Sequence, residues 1–322
     1  MNTKKLLTFV AKLVVTLLVF VWIDRTFGFP QIIKTLATAD WAWFVLAIIM
    51  HIASIFLGAW QWGIILKNRG LSMPIWETIK LYYTGMFFNN FILGTVAGDS
   101  FKVAVIHKKK KNAKSGFAAT FLDRFVGLAV LSVFALIGAG VMIFTRVENN
   151  QYMYMSLLVV LFFSLLLLGV FLLIFSKRAQ TLFSKALLKF PNSDIAKKAE
   201  GVISSVYMDR RGGHDSKMLA QIFSLSFLIQ TLRISTHIFC AVALSIFTFS
   251  SIQYFFVIVP ITAILMIVPL PFGLIPAIAG AIFAGAGFNQ EQATVMQFLA
   301  AIAGVIGSMA GAVFFLTDNS RK

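Results

Sequence analysis

The chain has 322 residues, of which 59% are hydrophobic and only 12% are charged. A soluble domain carries about 25% charged residues, so the composition excludes one and indicates a polytopic membrane protein. The net charge of +16 does not indicate a nucleic-acid partner, because the basic residues form short blocks between apolar runs, as in the loops of membrane proteins. The single cysteine, Cys240, excludes a disulfide framework and a thiolate metal site.

Six apolar segments are long enough to be predicted spans: residues 6–23, 41–66, 116–144, 152–175, 218–249 and 293–316. The first has the charge order of a signal peptide, but its apolar run is 18 residues, which is long for a signal core, so we expect a retained helix. Residues 176–217 hold nine Lys/Arg against four Asp/Glu and predict an amphipathic helix on the membrane surface.

Two more apolar stretches, residues 75–106 and 254–288, are interrupted by glycines, prolines or charges. Of the 28 Lys/Arg, 21 lie near the termini, around residues 67–69 and 108–114, and in 177–217, while only Arg25, Lys34 and Arg146 lie in the other loops. The positive-inside rule then places both termini in the cytoplasm. Residues 75–106 must enter and leave by the cytoplasmic face, and 254–288 by the outer face. About 30 residues suffice for a re-entrant hairpin but not for two crossings.

The predicted fold is an all-α polytopic membrane protein with six spanning helices and two oppositely oriented re-entrant hairpins, equivalent to about eight membrane segments. The order of two spans, a hairpin and a span occurs twice with opposite orientation. This predicts an inverted repeat of residues 1–147 and 148–322 within one transmembrane domain, 1–322. The alternative is eight ordinary spans, two of them kinked by glycine and proline.

The first broken stretch combines freed backbone groups with charge. Asn90, Gly94 and Gly98 interrupt it and are predicted at the hairpin tip, directly before Asp99 and Lys102. Asp99 could cap the following half-helix. Lys102 and the half-helix N-terminus could bind an anionic head group, and both interpretations can hold together.

Asp123 and Arg124 are charges inside a predicted span. Adjacent residues on a helix point about 100° apart, so each needs a partner on another element. We expect Asp123 to pair with Lys102 or Arg233. Structural pairing and substrate contact are both open at this point.

The fifth predicted span carries Ser226, Gln230, Arg233 and His237 at spacings of 4, 3 and 4, which puts them on one helix face. An arginine near mid-membrane is expected to face the protein interior or a wet cavity, and a proton-linked role for His237 is one hypothesis. The alternative is an interhelical hydrogen-bond stripe. Two weaker stripes predict helix packing: residues 51, 54, 58 and 61, and residues 304, 307, 308 and 311.

Residues 90–102 (NFILGTVAGDSFK) and 119–128 (ATFLDRFVGL) resemble the lysylphosphatidylglycerol synthase transmembrane domain family, also called flippase-like. That family shows an Asn, a Pro-Gly, a Gly-Gly-Asp followed by Arg, and later an Asp-Arg near a Gly-Leu. Here Leu93 stands where proline is usual, Ala97 replaces a glycine, and Lys102 replaces the arginine. The second family motif, a proline, a glycine-rich turn and a glutamate, is half kept: Pro269, Pro271 and Gly273 match, and the glutamate is absent.

The resemblance implies a lipid flippase or transporter for an anionic phospholipid or a polyprenyl-linked lipid. Its partners would be membrane lipids with anionic head groups, and its location the bacterial or archaeal cytoplasmic membrane. The alternative is a non-transporting scaffold for a lipid- or glycan-synthesising membrane enzyme. No HExxH, GxSxG or P-loop occurs. We therefore expect no enzyme activity, no cofactor and no metal. The sequence ends at Lys322, so no aminoacyl-transferase domain is expected after the last span.

Overall fold

The computed structural model of the protein describes residues 21, 24–25, 29–91, 95–145, 151–187, 201, 213–266 and 273–317. All regular secondary structure within these residues is helical, and the helices are joined by turns. The helices are α1 (Phe29–Ala37), α2 (Trp41–Asn68), α3 (Ile75–Phe91), α4 (Thr95–Lys110), α5 (Ala113–Phe144), α6 (Gln151–Phe175), α7 (Lys177–Leu187), α8 (Gly213–Ala243), α9 (Ile252–Leu265), α10 (Leu274–Gly285), α11 (Gln290–Ser308) and α12 (Ala310–Thr317).

Five stretches of these helices are long and apolar enough to cross a membrane: Trp41–Asn68, Ala113–Phe144, Tyr154–Phe175, Lys217–Ala243 and Gln290–Thr317. They confirm an all-α polytopic membrane protein. The predicted first span, residues 6–23, lies outside the described residues except at Val21. The span predicted at 218–249 is displaced, because α8 ends at Ala243 and Ser245 has a positive φ of 57°.

The α3–α4 pair, hereafter the first hairpin, doubles back on itself. At its open end Lys109 Nζ lies 2.8 Å from Glu77 Oε2. Near its tip the backbone N–H of Gly98 donates to Asn89 Oδ1 at 2.8 Å. The two helices have 17 and 16 residues, or about 25 Å each at 1.5 Å per residue, so this stretch is a hairpin and not one kinked span. Gly94 lies outside the described residues.

Gly98 lets the two arms of the first hairpin touch through their backbones. A Cβ added there would lie 1.8 Å from the carbonyl oxygen of Gly85, far inside van der Waals contact, so no larger residue fits without moving an arm. The hairpin is therefore a tightly packed unit.

Both connections of the first hairpin carry a residue in the left-handed region. Gly70, with φ of +73°, precedes α3, and Lys111, with φ of +54°, follows α4. The chain thus turns sharply on entering and on leaving the hairpin, and both turns lie at the same end of the helix bundle. That end also contains Asn68 and Lys114; we call it the basic end.

The α9–α10 pair, hereafter the second hairpin, is also antiparallel. Tyr254 and Phe288, at its open end, have ring centroids 5.9 Å apart, and Phe255 and Phe283 are 5.0 Å apart. Gly273, with φ of +91°, precedes α10. Pro269 and Pro271 lie outside the described residues.

The two hairpins open at opposite ends of the bundle. Trp76 of α3 meets Phe314 of α12 at 5.6 Å, at the basic end. The second hairpin opens at the far end, where Gly138 of α5 lies against Phe256. The backbone N–H of Asp40 donates to the carbonyl of Ala243 at 2.8 Å, which places the start of α2 and the end of α8 at this far end. The opposite orientation agrees with the predicted architecture, and the pseudo-repeat of the halves stays a prediction.

Helix α6 is the most exposed of the crossing helices. Only 11% of the residues in its most apolar 18-residue stretch are buried. Its outward side chains are mostly leucine and phenylalanine, among them Leu158 and Phe162. Such a helix is suited to contact lipid, and the polar side chains described below lie on the other helices.

Candidate functional site

Asp99 of the first hairpin joins two cations, and these three residues form what we call the ion cluster. Asp99 Oδ1 lies 3.0 Å from Lys102 Nζ. Arg124 of α5 donates from Nε to Asp99 Oδ2 at 2.9 Å and from Nη2 to Oδ1 at 3.1 Å, a two-pronged geometry that fixes direction as well as distance. The expected partner of Arg124 on another element is thus Asp99. The capping interpretation of Asp99 is wrong, because α4 already begins at Thr95.

Lys102 is enclosed by aromatic rings. Its side chain is 1% exposed, and Nζ lies 5.1 Å from the ring centroid of Trp62 and 4.7 Å from that of Tyr82. Both distances suit cation–π attraction. Since the side chain of Arg124 is 27% exposed, Arg124 is the cation of the ion cluster that a ligand can reach in this conformation.

Asp123 is held by neutral donors. Gln61 Nε2 of α2 donates to Asp123 Oδ1 at 3.0 Å, and Tyr82 Oη donates to Oδ2 at 3.3 Å. The expected ion pair with Lys102 or Arg233 is wrong. Lys102 is already taken by Asp99, and no ion pair of Asp123 occurs in the described part of the chain. The buried carboxylate instead ties three helices together.

The polar stripe of α8 faces the bundle interior, as its spacing predicts. Ser226 and Gln230 are buried, and Arg233 and His237 are half-buried. Gly127 of α5 brings the two helices close, since a Cβ there would lie 2.9 Å from Gln230 Nε2. The stripe therefore adjoins the face of α5 that carries Asp123 and Arg124.

Arg233 lies in the electrostatic neighbourhood of Tyr82, Asp123 and Arg124. Within the described residues, no carboxylate oxygen lies within 4.0 Å of the guanidinium nitrogens of Arg233, so it forms no ion pair there. Its guanidinium is thus a cation at membrane depth whose charge no adjacent anion of these residues neutralises.

Asn90 attaches the tip of the first hairpin to α11. Its Nδ2 donates to the carbonyl of Gly304 at 3.2 Å and to Ser308 Oγ at 2.8 Å. One turn further, a Cβ at Gly311 would lie 2.1 Å from the carbonyl oxygen of Tyr83. The small-residue stripe of the last span therefore serves close helix packing, as predicted.

Several interior polar atoms have no hydrogen-bond partner among the described residues. All of these atoms are buried, and they lie on α2, α5, α8 and α11: Gln61 Oε1, Trp62 Nε1, Thr120 Oγ1, Ser226 Oγ, Gln230 Oε1, His237 Nδ1 and Gln297 Nε2. A buried polar atom without a partner is costly. Each of these atoms can therefore make one further hydrogen bond inside the bundle.

Some residues of the site are not evident from the sequence. Gln61 was placed on a packing stripe, and Tyr82 and Trp62 look like ordinary apolar residues of a membrane segment. Only the fold shows that they surround Lys102 and Asp123. In the part of the chain that the structure describes, no three His, Cys, Asp or Glu side chains come together as a metal site.

The sequence matches the family described as lysylphosphatidylglycerol synthase TM region over residues 9–312. The chain belongs to this family. It is also 27% identical over 137 residues to a UPF0104 membrane protein of Pyrococcus horikoshii. That stretch covers 42% of this chain and 40% of the relative, so the chain matches less than half of the relative's length. No solved structure matches. The family confirms the resemblance found in residues 90–128, and the protein is an integral membrane protein.

Proposed function

We propose that the protein is a lipid flippase, which moves an anionic phospholipid or a polyprenyl-linked lipid across the bilayer. The observation that carries the proposal is the excess of positive charge inside the bundle. Among the described residues, Lys102, Arg124 and Arg233 face two carboxylates, Asp99 and Asp123. A cation at membrane depth needs an anionic partner, and a lipid phosphate supplies one.

The geometry assigns different tasks to the cations. Lys102 is buried beneath two rings and neutralises Asp99. Arg124 and Arg233 are partly exposed, and a guanidinium offers a planar pair of donors that fits two phosphate oxygens. A phosphate would be held between α5 and α8, where Gly127 brings the two helices close together.

The two hairpins supply a path for the motion, because broken elements that enter from opposite sides are typical of alternating access. In this proposal the first hairpin enters from the cytoplasmic face of a bacterial or archaeal cell membrane, and both termini are cytoplasmic. The protein would act without a cofactor and without enzyme activity. Its partners would be membrane lipids.

The test uses purified protein in phosphatidylcholine vesicles that carry a fluorescent phosphatidylglycerol or a fluorescent phosphatidylcholine. We expect the wild type to accelerate movement of the anionic probe at least tenfold over protein-free vesicles. Arg233→Ala should remove most of this acceleration and Arg233→Lys should retain part of it. The control is Arg178→Ala, which changes an exposed arginine of α7 and should leave the rate unchanged.

If the wild type moves neither probe faster than protein-free vesicles do, the flippase proposal is wrong. In that case a non-transporting scaffold for a lipid- or glycan-synthesising enzyme becomes the better interpretation. Equal rates for wild type and Arg233→Ala would remove Arg233 from the site.

A further inference from the structure

Two histidines lie at the level of Arg233 in the bundle. Helices α2 and α8 are antiparallel and are joined at the far end by the Asp40–Ala243 hydrogen bond. His51 is eleven residues beyond Asp40, and Arg233 is ten residues before Ala243. At 1.5 Å per residue both lie about 15 Å from this end. His237, one helical turn from Arg233, completes the group, and His51 interacts electrostatically with both.

His51 also rests on the turn of α11 that holds the tip of the first hairpin. A Cβ added at Gly307 would lie 3.1 Å from His51 Cδ2, and one at Gly304 would lie 3.5 Å from the same ring. The carbonyl of Gly304 accepts the hydrogen bond from Asn90 of the hairpin tip. The imidazole and the tip therefore contact the same short piece of α11, so a change at one affects the packing of the other.

His237 has a ring nitrogen that can take a proton. Its Nδ1 is buried without a hydrogen-bond partner in the described part of the chain, and its ring interacts with the side chain of Gln297 of α11. Gln297 in turn has an unpartnered Nε2. A neutral imidazole has one donor and one acceptor nitrogen, and both nitrogens donate when it is protonated.

The charged and titratable groups around His51 and His237, hereafter the histidine pair, are few. Helix α8 brings Arg233 beside His51. Arg233 is in turn adjoined by Asp123 and Arg124 of α5 and by Tyr82 of α3. The described part of α11 brings neutral Gln297 at this level, and α9 carries Tyr254 at its outer start. A proton on the histidine pair would place a second positive charge beside Arg233. An anion bound to Arg233 removes that repulsion.

We infer that the histidine pair binds a proton together with an anionic phosphate head group at Arg233, so that the proton is the coupling ion of lipid movement. The inference rests on the proposed flippase function. Binding of either partner must favour binding of the other by the same factor, because coupling between two sites is reciprocal. Contact of His51 with α11 links this coupled binding to the hairpin tip.

The experiment measures the movement of fluorescent phosphatidylglycerol in phosphatidylcholine vesicles with the same pH on both sides, at pH 7 and at pH 5. We expect the wild-type rate to rise severalfold at the lower pH, because protonation of the histidine pair favours binding of the phosphate at Arg233. His237→Gln and His51→Asn should each give rates that hardly change with pH. The control His107→Gln, at the exposed end of α4, should keep the wild-type pH dependence.

Equal wild-type rates at both pH values, or an unchanged pH dependence in both histidine variants, would overturn the inference and leave the flippase proposal intact. Folding is checked by size-exclusion chromatography in detergent. Two separate histidine variants are used, so that one remains informative if the other does not fold.

A binding measurement separates the two failures if the wild type moves no lipid at all. Short-chain dihexanoyl phosphatidylglycerol is titrated into detergent-solubilised protein in two buffers with different ionisation heats. Uptake of a measurable fraction of a proton per bound molecule by the wild type, and much less by His237→Gln, supports coupled binding without transport. Binding without proton uptake, or no binding, overturns it.

Discussion

Both hairpins are antiparallel pairs of helices, but they differ in the side chains that hold them in place. The first hairpin contains Asp99, Lys102 and a tip asparagine that bonds to α11. The described part of the second hairpin is held by rings, with Phe255 in contact with both Phe283 and Phe288 at centroid distances of 5.0 and 6.1 Å. The first hairpin combines ring packing, as between Phe88 and Phe101 at 4.9 Å, with directional polar contacts, whereas the described part of the second is held by apolar packing.

This difference indicates where a charged ligand can act. Polar contacts can be exchanged for contacts with a phosphate, since an arginine can release one oxyanion and take another. Ring packing offers no such exchange. We therefore expect substitutions in the first hairpin to change both stability and lipid movement, and those in the second to change stability alone.

The largest effect should come from Asp99→Ala. It leaves Lys102, only 1% exposed, without its carboxylate, and removing one partner of a buried ion pair costs about 3–5 kcal/mol. Thermal or denaturant unfolding in detergent measures the loss. The double variant Asp99→Ala, Lys102→Met removes the buried pair and should recover part of the stability, since Arg124, which still lacks its carboxylate, is 27% exposed. Lipid movement should stay low. A double variant no more stable than Asp99→Ala would contradict this account.

Gly98→Ala should come next. The new methyl group would overlap the carbonyl of Gly85 and force the arms of the first hairpin apart, at a cost of about 1–3 kcal/mol. Gly140→Ala is the matched control, because a Cβ at Gly140 of α5 meets nothing within 4 Å. The control should be neutral or slightly stabilising, since alanine favours helix over glycine. Similar losses of stability in Gly98→Ala and Gly140→Ala would show that the close contact of Gly98 with Gly85 does not determine the stability of the hairpin.

A substitution in the second hairpin tests the other half of the comparison. Phe283→Leu removes a fully buried ring that contacts Phe255 and Phe288, and it should cost about 1 kcal/mol of stability. The rate of fluorescent phosphatidylglycerol movement should stay at the wild-type value. A rate that falls severalfold in a stably folded variant would give the second hairpin a role in the transport step.

The smallest effect is expected for Glu77→Gln at the open end of the first hairpin. Its ion pair with Lys109 joins side chains that are 46% and 37% exposed, and exposed pairs contribute about 0–1 kcal/mol. The unfolding midpoint should shift little, and the shift should disappear in high salt. A large loss of stability that persists in high salt would show that the Glu77–Lys109 contact stabilises the hairpin by more than a screened surface ion pair can.

Much of the helical layout follows from the sequence, because membrane spans leave long apolar runs and loop charges report their sides. The first hairpin is predictable from Lys67 and the five lysines within residues 108–114, which must lie on one face. The ion partners are not predictable, since they depend on helix rotation and on contacts between distant segments. Asp99, Asp123 and Arg124 were all identified, yet the partner expected for Asp123 was wrong. Its actual partners are a glutamine and a tyrosine, which carry no charge to reveal them.

The left-handed turns at Gly70 and Lys111 determine where the first hairpin is connected to the rest of the chain. Its arms are locked together at Gly85 and Gly98, so they cannot slide past one another. Both of its attachments to the rest of the chain lie at the basic end, about 25 Å from the tip. The hairpin can therefore tilt only as one unit about its base, against the close contact of Tyr83 with Gly311 of α12. A rotation of only a few degrees there displaces Asn90 by an ångström or more, enough to break its bonds to α11.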